Sequence, residues 1–299
     1  MNKESKTKYL EPEVVSSLSN LSLVARLVVE GFIVGLHKSP YHGFSVEFAE
    51  HKPYMPGDDI KNIDWKVYAR TDRYYIKKFE EETNLKSYIL LDKSGSMGYA
   101  SENLTKLSYS KYLAASLSYL MLQQQDAISL TTFSNAIDEF YPPIAKRSQL
   151  KRILGELNNT TAEGQGDIAN MLHTQAEKIK KRSLIIVISD LLEEPNGIIK
   201  GLKHLRHYDH EIIVLHVLDE QEQEFEFDSQ TKFVDMEGEG EIETEPWHVR
   251  KDYTQLIKKH IQYLQKECRN NNIDYVNLTT NKNLGLALTE YLKKRKKIG

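Results

Sequence analysis

The stretch Tyr88-Ile-Leu-Leu-Asp92-Lys-Ser94-Gly-Ser96-Met97 decides the fold. Tyr88 to Leu91 is a short unbroken apolar run, the pattern of a strand buried on both faces. It ends in an acid, two hydroxyls and a glycine, and helical periodicity then begins near Leu104 and lasts to about Gln123. A strand, a short polar turn and a helix place the turn at the carboxyl end of a parallel sheet, where ligands bind in open α/β folds. Asp92, Ser94 and Ser96 alternate, so an extended loop turns all three oxygens the same way. Hard oxygens converging on one point suit a cation the size of Mg²⁺. The plainer reading is a strand-to-helix turn whose small polar residues cap the helix.

Downstream, strands are expected at Ala127–Phe133, Leu184–Ser189, Glu211–Leu218 and Ile273–Leu278. Helical patterns at Ser148–Leu157, Ile168–Lys180, Ile198–Tyr208, Trp247–Asn270 and Leu284–Lys293 alternate with them. In the first helix Leu113, Leu117, Leu120 and Met121 form a stripe for packing on the sheet. Alternation of this kind predicts an α/β protein with a mostly parallel sheet covered on both faces. Leu184-Ile-Ile-Val-Ile-Ser189-Asp190 is a second buried run ending in an acid, and Thr160-Thr161-Ala-Glu-Gly164-Gln-Gly166-Asp167 is a third oxygen-bearing loop before a helix. Parallel strands bring such loops together.

Upstream the texture differs. Pro12 opens a helical pattern through Val14, Val15, Leu18 and Leu21, and a second helix runs from Leu21 to Val29 and ends near Gly31 and Gly35. Phe44, Val46 and Phe48 alternate as in a strand, and Tyr54-Met-Pro56-Gly57-Asp58-Asp59 is a turn. Ile60–Arg70 and Tyr74–Glu80 are expected to be β-rich. Residues 1–83 are therefore expected to form N-terminal helices and a small β-rich subdomain, and residues 84–299 the main domain.

Asp219 to Glu245 interrupts the alternation with twelve acids and one lysine, a net of −11 within a chain of −3, so the remainder carries +8. Phe225, Phe227, Phe233, Val234 and Met236 punctuate the acids, and Gly238 and Gly240 offer a turn. A hairpin-like insertion with one apolar and one acidic face is expected, either a solvated face or a docking surface for a basic partner.

The 299 residues, 40% hydrophobic and 28% charged, have the composition of a soluble globular protein. A net charge of −3 gives no case for nucleic-acid binding, and without a basic groove the aromatics Tyr54, Trp65, Tyr68, Tyr74 and Tyr75 read as subdomain core. The lone Cys268 excludes an intrachain disulfide, no signal peptide or membrane span is legible, and the expectation is a cytoplasmic protein. Two enzymatic alternatives start from the opening loop. Ser94-Gly-Ser96-Met-Gly98 is one residue from a nucleophile elbow, and Ser96, Asp190 and His216 follow the chain order of a serine hydrolase. Aspartyl phosphate at Asp92 is weaker, since no second aspartate stands two residues on. His204, His207 and His210 are a candidate transition-metal trio or complement the end of a helix. The tail Lys293-Lys-Arg-Lys-Lys297 reads as a solvated basic end.

Asp92-x-Ser94-x-Ser96 after one buried strand and Ser189-Asp190 after another resemble the metal-ion-dependent adhesion site of von Willebrand factor A domains. Further motifs lie upstream: Gly31-x3-Gly35-x-His37-x-Ser39, Phe48-Ala-Glu50, Tyr54-x-Pro56-Gly57-Asp58-Asp59, Ile63-Asp64-Trp65, Ala69-Arg70-Thr71 and Lys78-Phe-Glu80-x-Glu82-Thr. Together with the loops, they resemble the MoxR-associated bacterial family catalogued as domain of unknown function fifty-eight, from about Leu23 to the end. The resemblance implies a von Willebrand A-like domain in which Ser94 and Ser96 contact Mg²⁺ or a similar divalent cation and Asp92 and Asp190 help hold it. A carboxylate from a partner would complete the shell. Gly166 stands where such sites carry a threonine, leaving Thr161, Asp167 or water as the substitute, and Lys52 stands where arginine is expected. The resemblance also implies a non-enzymatic adaptor that works with a MoxR-type AAA+ ATPase and its client. The chain has no glycine-rich loop ending in Gly-Lys-Ser/Thr for hydrolysing nucleotide itself.

Overall fold

The computed structural model describes residues 20–36, 52–54, 65–76, 85–102, 104–227, 231–234, 236, 238 and 240–298. The expected helix from Pro12, the strand at residues 41–48 and the turn at residues 56–59 lie outside them. The expected α/β architecture, a mostly parallel sheet with helices on both faces, is present. Six strands, β3 (Lys86–Asp92), β4 (Ala127–Phe133), β5 (Ile137–Ile144), β6 (Leu184–Ser189), β7 (Glu211–Leu218) and β10 (Asp274–Thr279), form one sheet in the order β10-β7-β6-β3-β4-β5. Every neighbouring pair is parallel except β4–β5, which is antiparallel.

The apolar runs of β3, β6 and β7 are unbroken because both faces of these strands meet helices. Ile89, Leu91, Ile186, Ile188, Ile213 and Leu215 point to one face, packed by α3 (Lys106–Gln123), α4 (Arg147–Asn159) and α9 (Gly285–Ile298). Leu90, Ile185, Val187, Ile212 and Val214 point to the other, covered by α5 (Ile168–Lys178), α6 (Pro195–His207) and α8 (Pro246–Asn270). The alternation along each strand is thus apolar on both sides.

Helix α1 (Leu21–Leu36) packs on α3 through Leu21, Val24, Ala25, Val28 and Val29, and the same cluster is closed by Leu284 and by Ala287, Leu288 and Tyr291 of α9. The Tyr291 hydroxyl donates to the buried Asp126 carboxylate over 2.9 Å. Helix α1 runs through Gly31 and ends at Leu36, beside Gly35, one of the two glycines near which its end was expected; Phe32 still faces the core, and a helical glycine costs only about 1 kcal/mol.

Two further differences have physical reasons. Residues 65–71 form helix α2 (Trp65–Thr71) rather than β structure. Trp65 and Tyr68, three residues apart, meet edge-on at 6.1 Å between ring centres, and Tyr68 stacks on Tyr74 at 4.5 Å. Tyr74 stands beside β2 (Tyr75–Ile76), which pairs with β1 (Lys52–Pro53) in a two-stranded ribbon. Strand β5 was hidden by its outward-facing polar residues and by Pro142 and Pro143, residues that only an edge strand accommodates.

The insertion is the expected hairpin, β8 (Thr231–Val234) against β9 (Glu241–Thr244), preceded by a short helix, α7 (Glu220–Glu224). No described helix is long and apolar enough to cross a membrane.

Candidate functional site

The chain runs from β3 outward to β4 and β5, then returns to β6 on the other side of β3. The helices that follow β3 and β6, α3 and α6, lie on opposite faces of the sheet. A crevice opens where connections diverge in this way, at the carboxyl ends of the two strands. Asp92 ends β3 and Asp190 follows β6, so the sheet brings the two predicted carboxylates to the same crevice.

All four predicted residues meet there. The Ser94 amide donates to Asp92 Oδ1 (2.8 Å) and the Ser189 hydroxyl to Asp92 Oδ2 (2.6 Å). The Ser94 and Ser96 hydroxyl oxygens lie 3.2 Å apart, and the Ser96 hydroxyl is near enough to Asp190 to favour its ionised form. Asp92, Ser94 and Asp190 are buried. The third loop arrives through its backbone: Gly95 N–H donates to Gly164 O (2.8 Å), and Glu163 N–H to Lys93 O (2.9 Å). Asp167 caps α5 by accepting the Asn170 amide, which commits its carboxylate elsewhere.

The sequence reading missed one cation and its second anion. Lys106, in the first turn of α3, is fully buried; its Nζ donates to Asp190 Oδ2 (2.7 Å) and to Glu222 Oε1 of α7 (2.6 Å). A lysine at a helix N-terminus opposes the helix dipole. That misplacement is the signal, visible in the sequence, that acids stand opposite it.

The acidic insertion is therefore a wall of the crevice. Its first turn is fixed by Asp219, which accepts the Ser101 amide and the Thr280 hydroxyl, and by Gln221, which accepts the Tyr99 hydroxyl. Met236, beyond β8, reaches the Gly98 turn: a Cβ at Gly98 would stand 3.1 Å from its methyl carbon and 3.1 Å from Ala162.

The charges at the site are unevenly satisfied. Burial, with the Asp190 charge added, pushes Asp92 up to about 7 despite its bonds from Ser189 and Ser94. Burial also opposes the Asp190 charge, but Lys106 and Ser96 outweigh it and hold Asp190 below the ordinary carboxylate range. Glu222 is raised by burial, which Lys106 only partly offsets. Two carboxylates, Asp190 and Glu222, thus share one ammonium, and Asp92 relies on the Ser189 hydroxyl and the Ser94 amide. Donor chemistry and spacing both fit a divalent cation: hydroxyl and carboxylate oxygens are hard ligands, and neighbouring ligands of octahedral Mg²⁺ stand roughly 3 Å apart.

Just past Asp190 the backbone turns sharply. Leu191 adopts a left-handed conformation (φ 50°), which costs a residue with a Cβ about 1–2 kcal/mol. The Ser189 hydroxyl oxygen accepts the Leu191 amide (3.0 Å), and His260 Nε2 bonds the Leu191 carbonyl (2.8 Å). Strain of this kind collects at functional sites.

The hydrolase constellation does not assemble. Asp190 is bonded to Lys106 and His216 Nδ1 to the Tyr275 hydroxyl, with no hydrogen bond between Ser96 and His216 among the described residues. The histidine trio also separates. His204 Nδ1 faces His173 Nδ1 at 2.9 Å, whereas His210 is buried with its Nε2 at the Ile179 carbonyl.

Residues 50–263 match the family described as protein of unknown function DUF58. An uncharacterized protein of Mycobacterium tuberculosis, Rv1480, is 24% identical over 217 residues, 71% of this chain and 67% of that protein. Among solved structures, the conserved hypothetical protein BatB from Bacteroides thetaiotaomicron superposes with a TM-score of 0.50 at 17% identity, over 71% of this chain and 98% of BatB. An aerotolerance-related membrane protein from Bacteroides fragilis superposes with a TM-score of 0.51 at 19% identity, over 71% of this chain and 99% of that one. At these identities the structures speak for the fold.

Proposed function

The chain belongs to the family of unknown function DUF58, and from that premise we propose that it is a non-enzymatic interaction module that grips partners at the Asp92 crevice. The observation that carries the reading is the meeting of Asp92, Ser94, Ser96 and Asp190 at the divergence of two strand connections. In the proposed site Ser94 and Ser96 hold a divalent cation of the Mg²⁺ kind, with Asp92 and Asp190 supplying the negative charge around it. Such a cation offers an open coordination position to a carboxylate of the partner. Ser189 and the Ser94 amide orient Asp92, and Lys106 keeps Asp190 ionised and turned into the crevice.

The partner we propose is a MoxR-type AAA+ ATPase together with its client, the chain acting as the recognition subunit of that machine. Support comes from the motifs around Pro56-Gly57-Asp58-Asp59 and Asp64-Trp65, and from the lack of a nucleotide-binding loop of its own. Residues 1–83 are proposed as an N-terminal part whose helix α1 is anchored in the core of the module formed by residues 84–299.

Mg²⁺ titration of wild type and Asp92→Ala, read by thermal unfolding and by co-purification of the ATPase, tests both halves. The expected result is a Mg²⁺-dependent rise in melting temperature and ATPase capture in wild type, both lost in the variant. Identical responses to Mg²⁺ remove the cation from the proposal, and capture by neither protein removes the ATPase.

A further inference from the structure

Beside the crevice, an open groove of about 620 Å³ runs between α8 and the segment after β6. Leu192, Pro195, Leu256, Ile257 and Tyr263 give it an apolar lining, with Leu256 65% and Leu192 41% exposed. Besides Trp247 in its first turn, α8 exposes Val249, Leu256 and Tyr263, which recur at seven-residue spacing along one side of the helix. Over that distance α8 rises roughly 21 Å, four turns of a helix laid alongside. The walls are tied together: His260 bonds the Leu191 carbonyl at the floor, and the Tyr263 hydroxyl donates to Asn196 Oδ1 (2.6 Å) at one end.

We propose that this groove receives an acidic amphipathic helix of a partner protein. Charge argues for the sign. Helix α8 carries six lysines and arginines against two acids, and Lys259, which lines the groove, makes no ion pair among the described residues. The one carboxylate in the lining, Glu193, accepts the Ile168 amide at the N-terminus of α5 (2.8 Å), where the helix dipole offsets part of its charge. Shape argues for a helix. One wall is α8 itself and the other is the turn that leads into α6, and the edge strands of the sheet, β5 and β10, are part of neither. A bilayer is flat and does not reach Ile257 on the floor, and a symmetric second copy would set Lys259 near its own equivalent. The inference rests on the reading of the chain as an interaction module but not on a cation at Asp92.

The test uses two fluorescein-labelled 20-residue helical peptides with the same leucine heptads, one with glutamate at the outer positions and one with lysine. Fluorescence anisotropy in EDTA, repeated with Asp92→Ala, separates this inference from the cation reading. The glutamate peptide should bind at about 100 μM or tighter and the lysine peptide at least about tenfold more weakly. Leu256→Glu should weaken the glutamate peptide about tenfold or more and Lys259→Glu about threefold, each with an unchanged circular dichroism spectrum. Absent binding, equal binding of the two peptides, or indifference to Leu256→Glu overturns the proposal. So does either of two outcomes abolished by Leu256→Glu: binding to phosphatidylglycerol vesicles with no peptide binding, or self-association in sedimentation.

Discussion

Lys106→Met is the sharpest perturbation the crevice offers. Methionine keeps the length and apolar stem of the side chain, so little packing is lost. The ammonium disappears from between Asp190 and Glu222, whose side chains are 5% and 14% exposed. Removing one partner from a buried ionic cluster costs about 3–5 kcal/mol, because the remaining charges stay buried without compensation. Against a total stability of about 5–15 kcal/mol that is a large share. For a domain of this size it corresponds to a fall in Tm of roughly 6–20 °C. Urea unfolding followed by circular dichroism at pH 7.5 in EDTA measures it. Adding Glu222→Gln to Lys106→Met should return about 1–2 kcal/mol, since one of the two stranded carboxylates is then neutral. A loss below about 1 kcal/mol for Lys106→Met would refute the reasoning, showing that the carboxylates shed their charge or regain water without cost.

Two further outcomes follow from other sites. Burial pushes His216 down to about 3, so as pH falls below about 6.5 the unfolded chain takes up a proton that the fold refuses, and stability declines. Measured as urea midpoints, His216→Gln should therefore gain about 2 kcal/mol on wild type between pH 7.5 and pH 5, and a constant difference would contradict this. Gly201 lets α6 approach α5: a Cβ there would stand 2.7 Å from Leu172 Cβ and 3.2 Å from the Ala169 carbonyl. Gly201→Ala should cost about 1–3 kcal/mol by overpacking, more than alanine's helix preference returns, and a raised Tm would show that the helices separate freely.

The centre of the sheet was legible because burial on both faces leaves an unbroken apolar run in β3, β6 and β7, and β4 and β10 followed from their β-branched residues and their place in the alternation. Asp92, Ser94, Ser96 and Asp190 were legible because they follow those runs directly, and strand order then brings them together. Lys106 and Glu222 were not. Their partnership joins residues 116 apart through a polar insertion whose composition reads as a solvated face. Strand β5 escaped because half-buried edge strands carry polar residues and tolerate prolines. At Trp65–Thr71 the aromatic, β-branched texture suggested strands, but a three-residue aromatic spacing prevailed as a helix that stacks Tyr68 on Tyr74.

Helices α1 and α9 meet on the outer side of α3, although some 250 positions separate them along the chain. Contacts of such long range form only after most of the intervening polymer has been gathered in, so the face they cover is among the last parts of the core to become dry. Until α9 settles, Asp126 lacks its bond from Tyr291 and Val24, Val28 and Leu117 lie open to solvent. A chaperone or a protease meeting the half-folded chain would find this seam first, on the flank of the sheet away from the groove of α8.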